Sequence, residues 1–202
     1  IDPELTYSLG IEQTINTGLD AFNQSFESIW NKNATSQTIK YASESIGLGL
    51  RGLKRLSKNI KDEKSRQKMS KSSLYSGMCI SKTKTCICHS LSYPLTAHYG
   101  VPHGLACAFT MLEVIKYLYS KDKTYFNDLL KNAHYKSFKI FFRDIEKLFK
   151  TLNVKKKIKS YKINYKKILH LMPEMYTPER ADNFPYKINE LFIKNLLKKS
   201  LT

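Results

Sequence analysis

The sequence predicts an all-α fold, and three observations lead to that prediction. Apolar residues recur at steps of three and four along most of the chain, which is the spacing of one helix face. The alternation of apolar and polar residues that is typical of strands is scarce. The 202 residues include only 8 glycines, about half the usual share of roughly 7%. With 42% hydrophobic residues, we expect one folded helical domain over residues 1–202.

The clearest helix is TGLDAFNQSFESIW at 17–30. Its apolar residues recur at three- and four-residue steps: Leu19, Phe22, Phe26 and Trp30. The polar residues form a stripe on the other side: Asp20, Asn23, Gln24 and Glu27. Taken alone, Asp20 and Gln24 are more often part of a solvated stripe. Asp20 and Gln24 nevertheless place two oxygen donors one turn apart on one face, which also suits a divalent metal.

The second predicted helix starts from the N-capping sequence Asn-Ala-Thr-Ser at 33–36 and runs to about Ile60, interrupted by the glycines of GLGLRG. Periodicity predicts further helical segments at 61–79, 104–119, 122–132, 136–152, 163–171 and 187–199. The segment Gly104 to Leu118 is apolar on nearly every side, which predicts the central helix of the domain. Pro102 is placed to fix the turn into this helix, and His103 is therefore expected at its start.

Charge and cysteine content narrow the class of protein. The 34 Lys and Arg outnumber the 17 Asp and Glu and give a net charge of +17, which suits an anionic partner or a lysine-rich proteome. No nucleic-acid-binding signature accompanies the lysines, so no nucleic-acid partner is expected. The four cysteines are expected to be buried free thiols in a cytoplasmic protein, since a chain of this size needs no disulfides. No apolar run approaches 18 residues, so we expect neither a signal peptide nor membrane association.

Three of the five histidines fall within the stretch CHSLSYPLTAHYGVPHGLACAF at 88–109. His89 and His103 are too far apart for one helical face, and their separation suits two helices that meet at a loop. Two structural histidines are the ordinary explanation of such a pair. Together with Asp20 and Gln24, they would instead form a mixed oxygen and nitrogen donor set for zinc or iron.

These stretches resemble the C-terminal helical domain of the iron-containing (group III) alcohol dehydrogenases, a family related in fold to dehydroquinate synthase. The resemblance rests on TGLDAFNQSFES at 17–28 and HSLSYPLTAHYGVPHGLACAFT at 89–110. It extends to IDPELT at 1–6, GMCISKTKTCICHSLSYPL at 77–95 and TPERADNFPYKINELFIKNLL at 177–197. It implies a helical bundle and an oxidoreductase that interconverts an alcohol and an aldehyde or ketone with NAD or NADP.

The resemblance also implies a divalent metal, iron or zinc, that polarises the substrate oxygen. Matching the family motif position by position places metal ligands at Asp20, His89 and His103, while the family's first histidine ligand falls on Gln24. A neutral amide oxygen is a weaker donor than imidazole. The family's histidine four residues after the second ligand falls on Tyr93, and His98 follows about one turn later. Tyr93 and His98 are therefore candidates for substrate contact or proton transfer, with His98 the better proton carrier on its reference pKa.

The SYPLT form of the motif, with Gln24 in place of a histidine, resembles phosphonoacetaldehyde reductases and the oxidases of eight-carbon sugar acids. It implies a small alcohol or aldehyde substrate, with anionic ones among the candidates, and the family implies a homo-oligomer for the full-length enzyme. None of the glycines forms the turn that binds a dinucleotide pyrophosphate. The chain opens with IDPELTYSLG and no initiator methionine, so we expect the N-terminal α/β nucleotide-binding domain to lie outside it and the isolated chain to be inactive.

A second class of function stays open at the level of sequence. The chain would then be a non-catalytic basic helical module, derived from that family, that binds acidic partners or RNA. In this alternative, Gln24 marks the loss of metal binding.

Overall fold

The computed structural model describes residues 1–201, and every regular element within that range is a helix, which confirms the all-α prediction. None of these helices is both long and apolar enough to cross a membrane. Short 3-10 helices occupy Pro3–Thr6, Lys123–Phe126 and Met172–Met175. The α-helices of the described part are α1 (Ile11–Ile29), α2 (Ser36–Leu56), α3 (Glu63–Thr83), α4 (Ile87–Tyr99), α5 (His103–Lys121), α6 (Asn127–Asn132), α7 (Phe138–Thr151), α8 (Val154–Ser160), α9 (Tyr165–His170), α10 (Pro178–Ala181) and α11 (Glu190–Leu201).

Helix α2 begins where the sequence predicts but differs in its interior. Thr35 is its N-cap, and a capping box joins the side chains of Thr35 and Thr38 to each other's backbone N–H groups. The predicted interruption by glycines is wrong, since α2 runs unbroken from Ser36 to Leu56. Two of its glycines instead permit close helix packing, because Gly49 lies against Phe22 and Gly52 against Met69.

Besides the four-residue α10, two helices escape the periodicity analysis. Helix α4 contains Pro94, which removes one helical hydrogen bond and weakens the sequence pattern of a helix. Helix α8 is a short, lysine-rich segment with only two buried residues, Val154 and Ile158. Periodicity has little to detect in either segment.

Helix α1 is the element around which the site is arranged. It packs against α2, α3 and α5, and its side chains Phe22, Phe26 and Trp30 are fully buried. Its polar stripe is largely enclosed, because Asn23 and Glu27 are fully buried and Asp20 and Gln24 are half-buried. Within α1, no residue from Gly18 to Ile29 is exposed, so the buried polar groups of this part need partners inside the protein.

Helices α4 and α5 meet at a short connection, as the histidine spacing predicts. Gly100 ends α4 in the left-handed conformation, with φ of 64°, and donates its N–H to the carbonyl of Thr96. Pro102 then precedes the first residue of α5, His103. Most of α5 is buried, which confirms its prediction as a central helix.

Gly104 brings α5 into direct contact with α1. A Cβ atom at this position would lie 1.8 Å from the carbonyl oxygen of Asn16 and 2.9 Å from the backbone nitrogen of Asp20. Both clashing groups belong to the backbone of a packed helix and cannot rotate away. The first turn of α5 therefore reaches α1 only because residue 104 has no side chain.

Gly104→Ala should therefore destabilise the fold by at least about 1–3 kcal/mol, the usual cost of overpacking a core. The measurement is urea unfolding of the chain, followed by the fluorescence of Trp30, its only tryptophan. Gly77→Ala is the matched control, because Gly77 lies inside α3 with no atom near its missing Cβ. That control should stabilise by about 0.5–1 kcal/mol through helix propensity. An equal response of the two variants would contradict the close approach at Gly104.

Candidate metal centre

Four side chains that can bind a metal converge where α1, α4 and α5 meet. They are Asp20 on α1, His89 in the first turn of α4, and His103 and Cys107 at the start of α5. One donor atom from each lies within 4.8 Å of the others. The Oδ1 atom of Asp20 is 3.2 Å from Nε2 of His89 and 3.7 Å from Nε2 of His103. The structure thus brings together three of the four predicted ligands and adds a cysteine.

Glu27 fixes the position of His89. Its carboxylate is completely buried and accepts hydrogen bonds from the backbone N–H groups of Cys86, at 2.7 Å, and Cys88, at 2.5 Å. The same carboxylate lies 2.6 Å from Nδ1 of His89. We assign the Nδ1 proton from this network, so that Nδ1–H donates to Glu27 and Nε2 faces Asp20. A carboxylate behind a histidine is the usual support of a metal-binding imidazole.

The sequence analysis missed Glu27 as a functional residue. It lies seven residues after Asp20, so the two carboxylates share one face of α1. This seven-residue spacing is the one feature of the sequence that could have pointed to Glu27. The spacing does not reveal the role of Glu27, because the partners of Glu27 come from a helix about 60 residues further along the chain.

The side chains of the cluster shift one another's pKa values. Burial lowers the pKa of His89, but Cys107, Glu27 and Asp20 outweigh it, and the pKa lies well above its usual value. A hydrogen bond to Cys107 raises the pKa of His103, although burial opposes the rise. Burial raises the pKa of Cys107, yet the imidazoles of His89 and His103 lower it by more. The protons held here are those that a bound divalent cation displaces.

Gln24, the fourth predicted ligand, has a partner of its own. Its carbonyl oxygen accepts a hydrogen bond of 2.7 Å from the hydroxyl of Ser76 on α3. One of the two lone pairs of this oxygen is therefore engaged. Gln24 lies one turn after Asp20 on α1, as the sequence spacing requires.

Tyr93 borders the cluster. Its ring stacks on that of His103, with centroids 5.8 Å apart, and the guanidinium carbon of Arg180 lies 5.3 Å from the centre of the tyrosine ring. Burial raises the pKa of Tyr93, and the positive charges of Arg180 and His89 offset this only in part. The phenol therefore stays protonated near neutral pH and is placed to donate a hydrogen bond rather than to act as a base.

His98 has a different environment. Its side chain is 46% exposed and its Nε2 atom lies 2.7 Å from Oε2 of Glu174, whose side chain is 54% exposed. The structure brings Tyr93 to the candidate metal cluster, whereas His98 contacts Glu174 near the surface. A role for His98 in proton transfer stays a prediction.

The comparisons with known proteins point to one family. The sequence model described as Fe-containing alcohol dehydrogenase family, C-terminal, matches residues 14–201. The phosphonoacetaldehyde reductase of Streptomyces viridochromogenes is 32% identical over 116 residues, which is 57% of this chain and 29% of that protein. The sulfoacetaldehyde reductase of Bilophila wadsworthia is 31% identical over 109 residues, 54% of this chain and 28% of that protein.

The structural likeness extends over the whole chain. The sulfoacetaldehyde reductase of Bifidobacterium kashiwanohense, solved in complex with NAD+, superimposes with a TM-score of 0.90 at 24% identity. This match covers 100% of this chain and 53% of the reductase. An iron-containing alcohol dehydrogenase from Thermotoga maritima gives a TM-score of 0.80 at 22% identity, with 99% of this chain and 52% of that one covered. The chain thus spans about half the length of these solved structures.

Glu27→Gln should destabilise the chain, because it removes a buried charge that accepts several hydrogen bonds. The expected loss is about 2–3 kcal/mol in free energy of unfolding, the scale of hydrogen bonds to charged groups. Urea denaturation followed by Trp30 fluorescence measures it. Glu12→Gln is the control, since Glu12 lies on the same helix but is 68% exposed in its pair with Lys157. Its loss should stay below about 1 kcal/mol, and a similar loss for both variants would refute the role of Glu27.

Proposed function

Because the chain belongs to the Fe-containing alcohol dehydrogenase family, whose C-terminal domain it matches over residues 14–201, we propose that it is the metal- and substrate-binding half of an NAD(P)-dependent alcohol dehydrogenase or aldehyde reductase. The observation that carries this proposal is the convergence of Asp20, His89 and His103 on one point. The non-catalytic module is the weaker alternative, because a protein that has lost metal binding has no need to keep such donors together.

The residues fit a divalent metal. One carboxylate oxygen and two imidazole nitrogens are donors that both zinc and iron accept, and the Nδ1 atom of His89 is already engaged by Glu27 in the manner of a metal-binding histidine. When bound, such a metal supplies a Lewis acid for the substrate oxygen. Asp20, His89 and His103 would hold it, and Glu27 would keep the imidazole of His89 oriented.

Other residues near the cluster would position the substrate. The ring of Tyr93 stacks on that of His103. As a protonated phenol it would donate a hydrogen bond to a substrate oxygen. The hydride belongs to a nicotinamide, which we propose is held mainly by a separate α/β domain, and the active protein is proposed to be a homo-oligomer.

An anionic aldehyde is the proposed substrate class. Relatives of the chain include a phosphonoacetaldehyde reductase and a sulfoacetaldehyde reductase. Arg180 is a cation beside the proposed substrate side, because its guanidinium lies over the ring of Tyr93 and donates to Thr85 Oγ1 at 3.1 Å. The guanidinium offers a planar pair of donors for a phosphonate or sulfonate. The net charge of +17 would also favour the approach of an anion.

His103→Ala in the complete gene product tests the metal-assisted function. The variant should lose its metal during dialysis against a chelator, and turnover of aldehyde with NADH or NADPH should fall with it, because one of three strong donors is gone. Mass spectrometry of the metal content and absorbance of the reduced nucleotide are the two measurements. His170→Gln, which changes an exposed histidine of α9, is the control and should retain both properties. Full activity of His103→Ala with unchanged metal content would refute the proposal.

Arg180→Gln tests the anionic substrate. The ratio of kcat/KM for phosphonoacetaldehyde or sulfoacetaldehyde to that for propanal should fall by roughly 10- to 150-fold, from the 1.5–3 kcal/mol of a charge-assisted hydrogen bond. Arg180→Lys should restore part of this ratio, since it keeps the charge but not the planar fork. An unchanged ratio in Arg180→Gln would show that Arg180 does not bind the anionic group.

A further inference from the structure

We propose that Cys107 binds the metal through its sulfur, so that the site is formed by Asp20, His89, His103 and Cys107, and that this thiolate shifts the preference of the site from iron towards zinc. The inference rests on the proposed metal-assisted function. It adds a ligand that sequence spacing did not identify and a reason why the site can dispense with a histidine at position 24.

Three distances between the donor atoms are close to those of a metal-binding tetrahedron. With zinc-to-nitrogen bonds of about 2.0 Å and zinc-to-sulfur bonds of about 2.3 Å, adjacent nitrogen and sulfur ligands lie roughly 3.5 Å apart. The Sγ atom of Cys107 is 3.7 Å from Nε2 of His103. Asp20 Oδ1 lies 3.7 Å from the same nitrogen and 3.2 Å from Nε2 of His89. All four donor atoms lie within 4.8 Å of one another, so they need only draw together around one point to share one ion.

The local fold explains why Cys107 faces this point. It lies one turn after His103, so both side chains project from the same face of α5. Gly104 presses that face against the backbone of α1 beside Asp20. The side chain of Cys107 is completely buried, and its sulfur contacts an imidazole nitrogen. Apolar packing alone would not require a thiol beside two imidazoles and a carboxylate.

Cys79 is an example of a buried thiol that lies away from the candidate metal site. Cys79 is also completely buried, but its Sγ atom donates to the carbonyl oxygen of Thr38, 3.3 Å away on the neighbouring helix. Burial raises the pKa of this thiol to about 12. Cys79 lies outside the cluster of metal-binding groups and provides a matched control.

A thiolate also improves the charge balance of the site. Asp20, His89 and His103 together carry a single negative charge, against the two positive charges of the metal. When Cys107 gives up its proton on binding, the two anionic ligands neutralise the ion. Gln24 could add no charge, and its oxygen already accepts the hydroxyl of Ser76. Thiolate sulfur is the softest of these donors and favours zinc over harder ions.

Cobalt(II) substitution of the complete gene product tests the proposal without reference to activity. A cobalt-thiolate bond gives an intense sulfur-to-metal charge-transfer band in the near ultraviolet, which oxygen and nitrogen ligands do not give. The wild-type protein and Cys79→Ser should show this band, and Cys107→Ser should lack it. Removing a ligand should also weaken zinc binding by at least the roughly 10- to 100-fold that loss of an outer-shell partner costs.

A second measurement does not depend on the folding of any variant. X-ray absorption of the zinc-loaded wild-type protein should show one sulfur neighbour at about 2.3 Å from the metal. Competition between zinc and ferrous iron should favour zinc less in Cys107→Asp than in wild type, because the aspartate replaces sulfur with a hard oxygen.

The results of these experiments distinguish a failure of this inference from a failure of the proposed metal-assisted function. Cobalt or zinc bound without the charge-transfer band and without a sulfur neighbour overturns the role of Cys107 and leaves the metal-assisted function standing. A band that persists in Cys107→Ser likewise overturns it. Absence of any metal binding by the wild-type protein overturns the proposed function and the inference together.

Discussion

The arrangement of the site depends on the buried carboxylate of Glu27. Burying a charge is costly unless hydrogen bonds replace the lost water. Glu27 meets that requirement with the first backbone N–H groups of α4 and the ring of His89. Those N–H groups have no partners inside their own helix, and they lie at its positive end. One side chain therefore satisfies the start of α4, joins α4 to α1 and orients an imidazole.

The donors come from helices rather than from loops, and this restricts their movement. His89 and His103 lie in the first turns of α4 and α5, and Asp20 lies in the middle of α1. Helix α1 is in turn held from its other sides by α2 and α3. Sites on packed helices hold their geometry more closely than sites on loops. Packing between helices thus holds the donors near ligand spacing, which reduces the cost of organising them on binding.

The sequence was sufficient for the fold class and for three of the converging donors, because each rests on local information. Helix periodicity, the capping sequence before α2 and the spacing of His89 and His103 all act within a few turns. The features that the sequence does not reveal depend on contacts between distant segments. Glu27 reads as one polar residue of a surface stripe until α4 covers it. Cys107 reads as a small apolar residue of a buried helix until α1 places Asp20 beside it. Pro94 weakens the periodicity of α4, so only the spacing of His89 and His103 indicates this helix in the sequence.

The close contact at Gly104 links a structural requirement to a chemical one. The imidazole of His103 reaches Asp20 because the next residue along the chain leaves room for the backbone of α1. His103 and Gly104 therefore form one motif, His-Gly at the start of a buried helix, and neither residue identifies the site without the other. This gives a criterion for searching distant sequences. If the matching histidine is followed by any residue with a Cβ atom, the two helices must cross differently, even where all the donor residue types are present.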